Sequence, residues 1–175
     1  QLQPAAPVNP IAPRSMARAP YTRDDVDWTQ TTVVLQEDLD CGGVRDGNYD
    51  SWTGTQWEPI GSGSTPFEGT FDGQGHEIRN IFIQNAAKNN VGLFGVVGNS
   101  AELTNFAIVS GNIEGNDSVG NVAGVNLGTI HHCYNMSEIR KAGKYSGGIT
   151  GYNAGTIHHA YNVGLVTETG ANSGG

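Results

Sequence analysis

The stretch "SVGNVAGVNLGTIHHCYN" at Ser118–Asn135 returns as "YSGGITGYNAGTIHHAYN" at Tyr145–Asn162. Every shared residue is displaced by the same 27 positions: Gly120 to Gly147, Gly124 to Gly151, Gly128 to Gly155, Ile130 to Ile157. The terminal "NSGG" puts Gly174 in register with Gly147, at the start of a third copy. A unit this short cannot enclose a core alone. It must stack on its neighbours, and that excludes most folds open to a chain of this length.

The stacking unit is built of strands. Gly is abundant, at 26 residues, and no window carries helix formers at a period of 3.6. Three short strands and three Gly/Asn-rich turns would account for the repeat, giving a β-solenoid with one coil per copy and parallel pairing between coils. A propeller would need about 40 residues and four strands per repeat, more than this period supplies. Equivalent residues then lie about 4.8 Å apart on successive coils. Degenerate copies precede the clear ones: "HEIRNIFI" at His76–Ile83 and "AELTNFAI" at Ala101–Ile108. Aligned, they predict an apolar column of Ile78, Leu103, Ile130 and Ile157. Beside it run Arg79, Thr104, His131, His158; then Asn80, Asn105, His132, His159; then Ile81, Phe106, Cys133, Ala160.

The net charge is -8, and no basic stripe is present to neutralise phosphates, which argues against nucleic acid. No apolar run approaches membrane-spanning length, so no membrane insertion by this segment is expected, and no signal-peptide core is visible. Residues 1–30 read as an extended leader, since their first twenty residues hold five of the seven prolines. Residues 31–84 read as an N-terminal cap with the first coils, and 85–175 as regular coils. An open coil edge invites pairing, so the coils are expected to continue beyond Gly175 or to pair with another chain. Cys41 and Cys133 are far apart and belong to no spaced framework, though a disulfide between them stays open.

"VVLQEDLDCGG", "WEPIGSGSTPFEGTFDGQGHEIRNIFI", "VGLFG" and the two "GTI…YN" copies together resemble bacterial cell-surface proteins with GLUG-type repeats, found in IgA-specific metallopeptidases and large adhesin-like proteins. The matching residues include Trp57, Pro59, Gly61, Phe71, Asp72, Gly73, Gly75 and His76, and coverage runs from about Thr31 onward. The resemblance implies a right-handed parallel β-helix on an extracellular, secreted or cell-surface protein. It implies no catalysis here, because the peptidases keep their zinc motif in a separate domain and "HExxH" is absent from this sequence. In this fold class asparagine columns form inward ladders. Asn80, Asn105, His132 and His159 are expected to be such a structural ladder.

The histidine pairs raise the question of a metal. Neighbours in a regular strand point to opposite faces, so His131 and His132 should not share an ion. His131 with His158, or His132 with His159, could reach one zinc between coils. The first column continues as Thr104 and Arg79 and the second as Asn105 and Asn80, so no third ligand is in view, and no cofactor is expected. His131 and His158 are the candidates that remain. Asp72, His76 and Glu77 suggest acid/base chemistry, but Asp-Gly and Gln-Gly are turn signals, and Asp72 reads as a turn-capping carboxylate. Asp46, Asn48 and Asp50 open like a calcium loop, yet Ser51 stands at the required glycine and Trp57 at the closing glutamate. Glu114, Lys141 and Glu168 form a column of alternating sign, which reads as a surface ion ladder. Tyr134 and Tyr161 stack in another column, with Tyr145 and Tyr152 near a turn. They are expected in packing, or, if outward, on sugar or protein partners.

The sequence thus predicts a non-enzymatic structural or adhesive module. Its partners would be host glycans or surface proteins, or a second copy docked through the open edge or the leader. A self-assembling fibre subunit and a carbohydrate-active β-helix are the alternatives.

Overall fold

In the computed structural model, residues 31–47, 51–141, 143–167, 170 and 173–174 are described. The leader, residues 1–30, lies outside them. All regular elements among the described residues are strands, and no helix is long and apolar enough to cross a membrane.

One full coil contains the strands Glu102–Ile108, Gly111–Glu114, Asp117–Gly120 and Ala123–Asn126. The next contains Thr129–Asn135, Glu138–Lys141, Lys144–Gly147 and Thr150–Asn153, and Thr156–Asn162 opens another. Each coil therefore has four strands, not the expected three. Corners of two residues, such as Gly115–Asn116 and Leu127–Gly128, turn the chain so tightly that a fourth face fits the same period. All pairing between coils is parallel. It holds its register along the longest face from Glu102 to Asn162, while Glu138–Lys141 slips by one residue against Gly111–Glu114 between Ile139 and Lys141. Thr129 faces Thr156, Ile130 faces Ile157 and His131 faces His158, each partner 27 residues on. The chain is a β-solenoid of about three turns.

The apolar column at its centre is Val33, Phe71, Leu103 and Ile130, each fully buried, and then Ile157. Ile78 is not in it. It lies at the far end of the same strand, five positions along the facing strand from Leu103, between Leu39 and Ile108. The expected register fails in the first coil because Thr70–Arg79 carries the extra segment Gly73–Gln74–Gly75 where later coils have one residue. Aromatic side chains fill this wider end: Phe71 meets Phe94 and Phe106 edge-on, both at 5.4 Å between centroids. The only antiparallel pair among the described strands is the hairpin Gly43–Arg45 with Trp52–Gly54, whose Trp52 stacks on Phe82.

Cys41 and Cys133 are free thiols in the interior, not a disulfide. Burial pushes the Cys133 thiol up to about 12 and raises Cys41 further.

Candidate functional site

Asn105, His132 and His159 share one column between paired residues, and all three have left-handed backbone, with φ of 59°, 51° and 50°. One left-handed residue breaks the alternation of a strand. The side chains before and at the break then face the same way. His131 and His132 accordingly do not point to opposite faces. Their Nδ1 atoms stand 2.6 Å apart, and those of His158 and His159 stand 2.8 Å apart. Stacking between coils completes a block of four rings. His131 lies over His158 and His132 over His159, each with centroids 4.8 Å apart.

Glu102 Oε1 lies 2.8 Å from His131 Nε2, which assigns that nitrogen its proton. His131 Nδ1 is then an acceptor, and His132 Nδ1–H donates to it. Thr104 Oγ1 stands 3.3 Å from the same Nδ1. His158 is held below the ordinary imidazole range by loss of hydration in the stack and by His131, His159 and His132 around it. Among the described residues, no three or more His, Cys, Asp or Glu side chains close around one point as a ready metal site.

The expected inward ladder of Asn80, Asn105, His132 and His159 is not formed. Asn105, His132 and His159 are exposed. Asn80 sits elsewhere, at its own left-handed bend, with its N–H on Ser110 Oγ. What these positions share is a backbone conformation that Asn and His tolerate better than most residues. The inward ladders are Asn126 over Asn153 and Asn135 over Asn162, with Nδ2 to Oδ1 distances of 2.7 Å in both. Each side chain also closes its own corner. Asn126 Oδ1 accepts from the Gly128 N–H, Asn135 from Ser137 and Asn162 from Gly164, all at 3.1 Å. The signal was in the sequence as "N-x-G" and "N-x-S" at the coil period. Asn135 continues the column of Leu39, Ile78 and Ile108, so a polar ladder takes over from an apolar one.

The long motif from Trp57 to His76 is scaffold in its geometry. Trp57 is buried and donates Nε1–H to Leu93 O at 2.9 Å. Pro59 and Phe71 are buried. Gly61 has φ +80°, and a Cβ there would stand 2.5 Å from Val96 O. A Cβ on Gly73 would stand 2.5 Å from Asn105 O, whereas Gly75, at φ +80°, has open space. Asp72 caps the intervening turn, accepting from Gln74 N–H at 2.9 Å and from Asn105 Nδ2 at 3.2 Å. His76 Nδ1 lies 3.3 Å from Asp38, which also accepts the Glu77 N–H at 3.0 Å.

Of the calcium-loop residues, Asn48 and Asp50 lie outside the described residues. Glu114 pairs with Lys141 just past a one-residue slip of the strand, and Glu168 lies outside the described residues. Tyr134 and Tyr161 stack at 5.1 Å with planes 6° apart, and Tyr161 is exposed. They face outward because Cys133 and Ala160 take the inward positions. Tyr145 and Tyr152 are also exposed, and meet edge-on at 6.0 Å. A shallow groove beside the left-handed column is lined by Gln74, Glu77, Asn105, Phe106, His132 and Tyr134.

Two curated proteins share similarity with part of the chain. It is 36% identical over 84 residues to Halomucin of Haloquadratum walsbyi, covering 47% of this chain and 1% of that protein. It is 38% identical over 80 residues to a protein described as a Gly-rich membrane protein of Evansella cellulosilytica, covering 44% of this chain and 9% of that one. The chain thus spans a small fraction of either relative. No family model matches it, and no solved structure matches it at a significant level.

Proposed function

We propose that this chain is a non-enzymatic module of a surface-associated protein, of the GLUG-repeat kind, acting as a stiff spacer with an adhesive face. The observation that carries this reading is the register between coils, unbroken from Glu102 to Asn162 along the longest face. Stacking of this kind grows in one dimension and presents long, repeating faces to solvent. One relative is described as a membrane protein and the other bears the name of a mucin. Both names support a place at the cell boundary.

The adhesive face is the outward tyrosine stack with the groove beside it. Flat aromatic surface next to Glu77, Asn105 and His132 suits sugar rings, which need an apolar platform and polar atoms at their edges. The ligands of this face are glycans. The test is a glycan array run on the full chain, with an assay for polysaccharide cleavage alongside. Binding that is lost in Tyr134→Ala/Tyr161→Ala, with no product released, supports the reading. Released product overturns the non-enzymatic assignment, and an empty array overturns the adhesive one. Biotinylation of intact expressing cells tests the location, and a protein shielded from label contradicts it.

A further inference from the structure

The left-handed residues at 132 and 159 have a consequence beyond shape. They turn vicinal imidazoles so that two Nδ1 atoms converge, and they do so twice, on adjacent coils. We propose that the His131–His132 pair is an open, two-nitrogen chelate for a divalent transition ion that prefers square-planar or tetragonal coordination, Cu(II) foremost and Ni(II) after it.

The bite distance sets the preference. Two nitrogens about 2.0 Å from one ion are about 2.9 Å apart at a right angle and about 3.3 Å apart at a tetrahedral angle. The observed separations, 2.6 Å and 2.8 Å, favour the right angle. Zinc asks for the wider bite and for more protein ligands, and among the described residues no third His, Cys, Asp or Glu closes over this pair. Copper(II) also binds nitrogen donors most tightly among the divalent first-row ions. Solvent fills the remaining positions.

Glu102 distinguishes the first pair from the second. Its hydrogen bond at His131 Nε2 keeps the proton off Nδ1 and holds the ring in place, the arrangement by which carboxylates orient metal-binding histidines. Ion binding needs both Nδ1 lone pairs. The proton on His132 Nδ1 leaves to solvent and one returns to its Nε2, so a neutral pair binds without net proton release. The His158–His159 pair repeats the bite, but on the coil before it the column of Glu102 holds Thr129, which offers no carboxylate. A second dication about one coil spacing away would also be repelled, weakening its binding by about two orders of magnitude. The site should therefore take one ion per chain at moderate concentrations.

Asparagine is the informative substitution, because Asn105 already holds this conformation in the same column. His132→Asn and His159→Asn remove imidazoles while keeping a residue suited to the backbone. The experiment titrates the full chain with copper sulfate at neutral pH, reading Cu(II) paramagnetic resonance and binding heat. Wild type should bind one Cu(II) with two coordinated imidazole nitrogens, more tightly than Zn(II). His132→Asn/His159→Asn should lose at least tenfold in affinity together with the nitrogen signature. Glu102→Gln should lose about tenfold, the usual effect of removing such an orienting carboxylate. A double variant that binds Cu(II) with wild-type affinity and spectrum would overturn the proposal, as would tighter binding of Zn(II). Should the variants unfold, wild type alone decides. Cu(II) must protect His131 and His132 from diethyl pyrocarbonate while His76 still reacts, and equal protection or none refutes the site.

Discussion

Replacing Asn135 by alanine isolates the polar ladder from the apolar core. Asn135 is fully buried. Its Oδ1 accepts from the Ser137 N–H at 3.1 Å and from Ser137 Oγ at 2.6 Å, and its Nδ2 donates to Ser137 O at 3.0 Å and Asn162 Oδ1 at 2.7 Å. Removal does not orphan all four partners. Ser137 Oγ keeps Asn121 Oδ1 at 2.8 Å, Ser137 O keeps Asn121 Nδ2 at 3.3 Å, and Asn162 is half-buried and reaches water. The Ser137 N–H is the group left without its partner, in a residue only 1% exposed. An orphaned buried donor costs about 1–3 kcal/mol, and the lost bond across the coils adds about 1 kcal/mol. Asn135→Ala should therefore destabilise by about 2–4 kcal/mol. Asn162→Ala removes the same side chain one coil on, where solvent replaces its bonds, and should cost about 1 kcal/mol or less. Urea unfolding of both variants measures the difference, provided the slope with denaturant is unchanged. Equal losses, or a loss below about 0.5 kcal/mol for Asn135→Ala, would refute the reasoning that buried corner bonds hold the coils.

Gly73→Ala should destabilise by about 1–3 kcal/mol, since its methyl group meets the backbone at Asn105. Gly75→Ala, in open space at positive φ, should cost about 1–2 kcal/mol of backbone strain alone, and thermal melting of the pair separates the two causes. Asp38 is held below the ordinary carboxylate range, first by the Glu77 N–H, against the opposing effect of burial, and then by Arg79 and His76. A carboxylate with a depressed pKa binds fewer protons folded than unfolded. Its stabilisation is present above about pH 4, the ordinary carboxylate range, and is lost as pH falls through the lower folded value. Asp38→Asn should flatten the acid limb of a melting-temperature profile below that pH and leave its slope near neutrality unchanged.

The period and the parallel stacking were legible because identical residues recur at one spacing. The number of faces was not, since "GN", "NV" and "LG" corners carry no mark of how sharply they turn. The first coil misled by arithmetic. Ile78 stands nearly one period before Leu103, and only the extra Gly73–Gln74–Gly75 segment moves Phe71 into that place. The facing of the histidines was hidden by the alternation rule, which holds for extended backbone and fails at a left-handed residue. Asn105 at the head of the column was the available clue, since asparagine is the side chain that most readily takes that conformation after glycine. The ladder was sought at "I-x-N" and stood at "N-x-G", where an amide can close a corner and reach the next coil together.

Everything proposed for this chain depends on residues 27 positions apart being neighbours in space. Met136 and Val163 are exposed and follow directly on the paired Asn135 and Asn162. Spin labels placed through Met136→Cys and Val163→Cys test this in solution, with the buried Cys41 and Cys133 left unlabelled. Stacked coils put the two backbones about 5 Å apart. The predicted result is strong dipolar broadening in the doubly labelled protein that vanishes on unfolding in urea. A spectrum equal to the sum of the two single-label spectra would contradict the solenoid, and with it the histidine site and the adhesive face built on it.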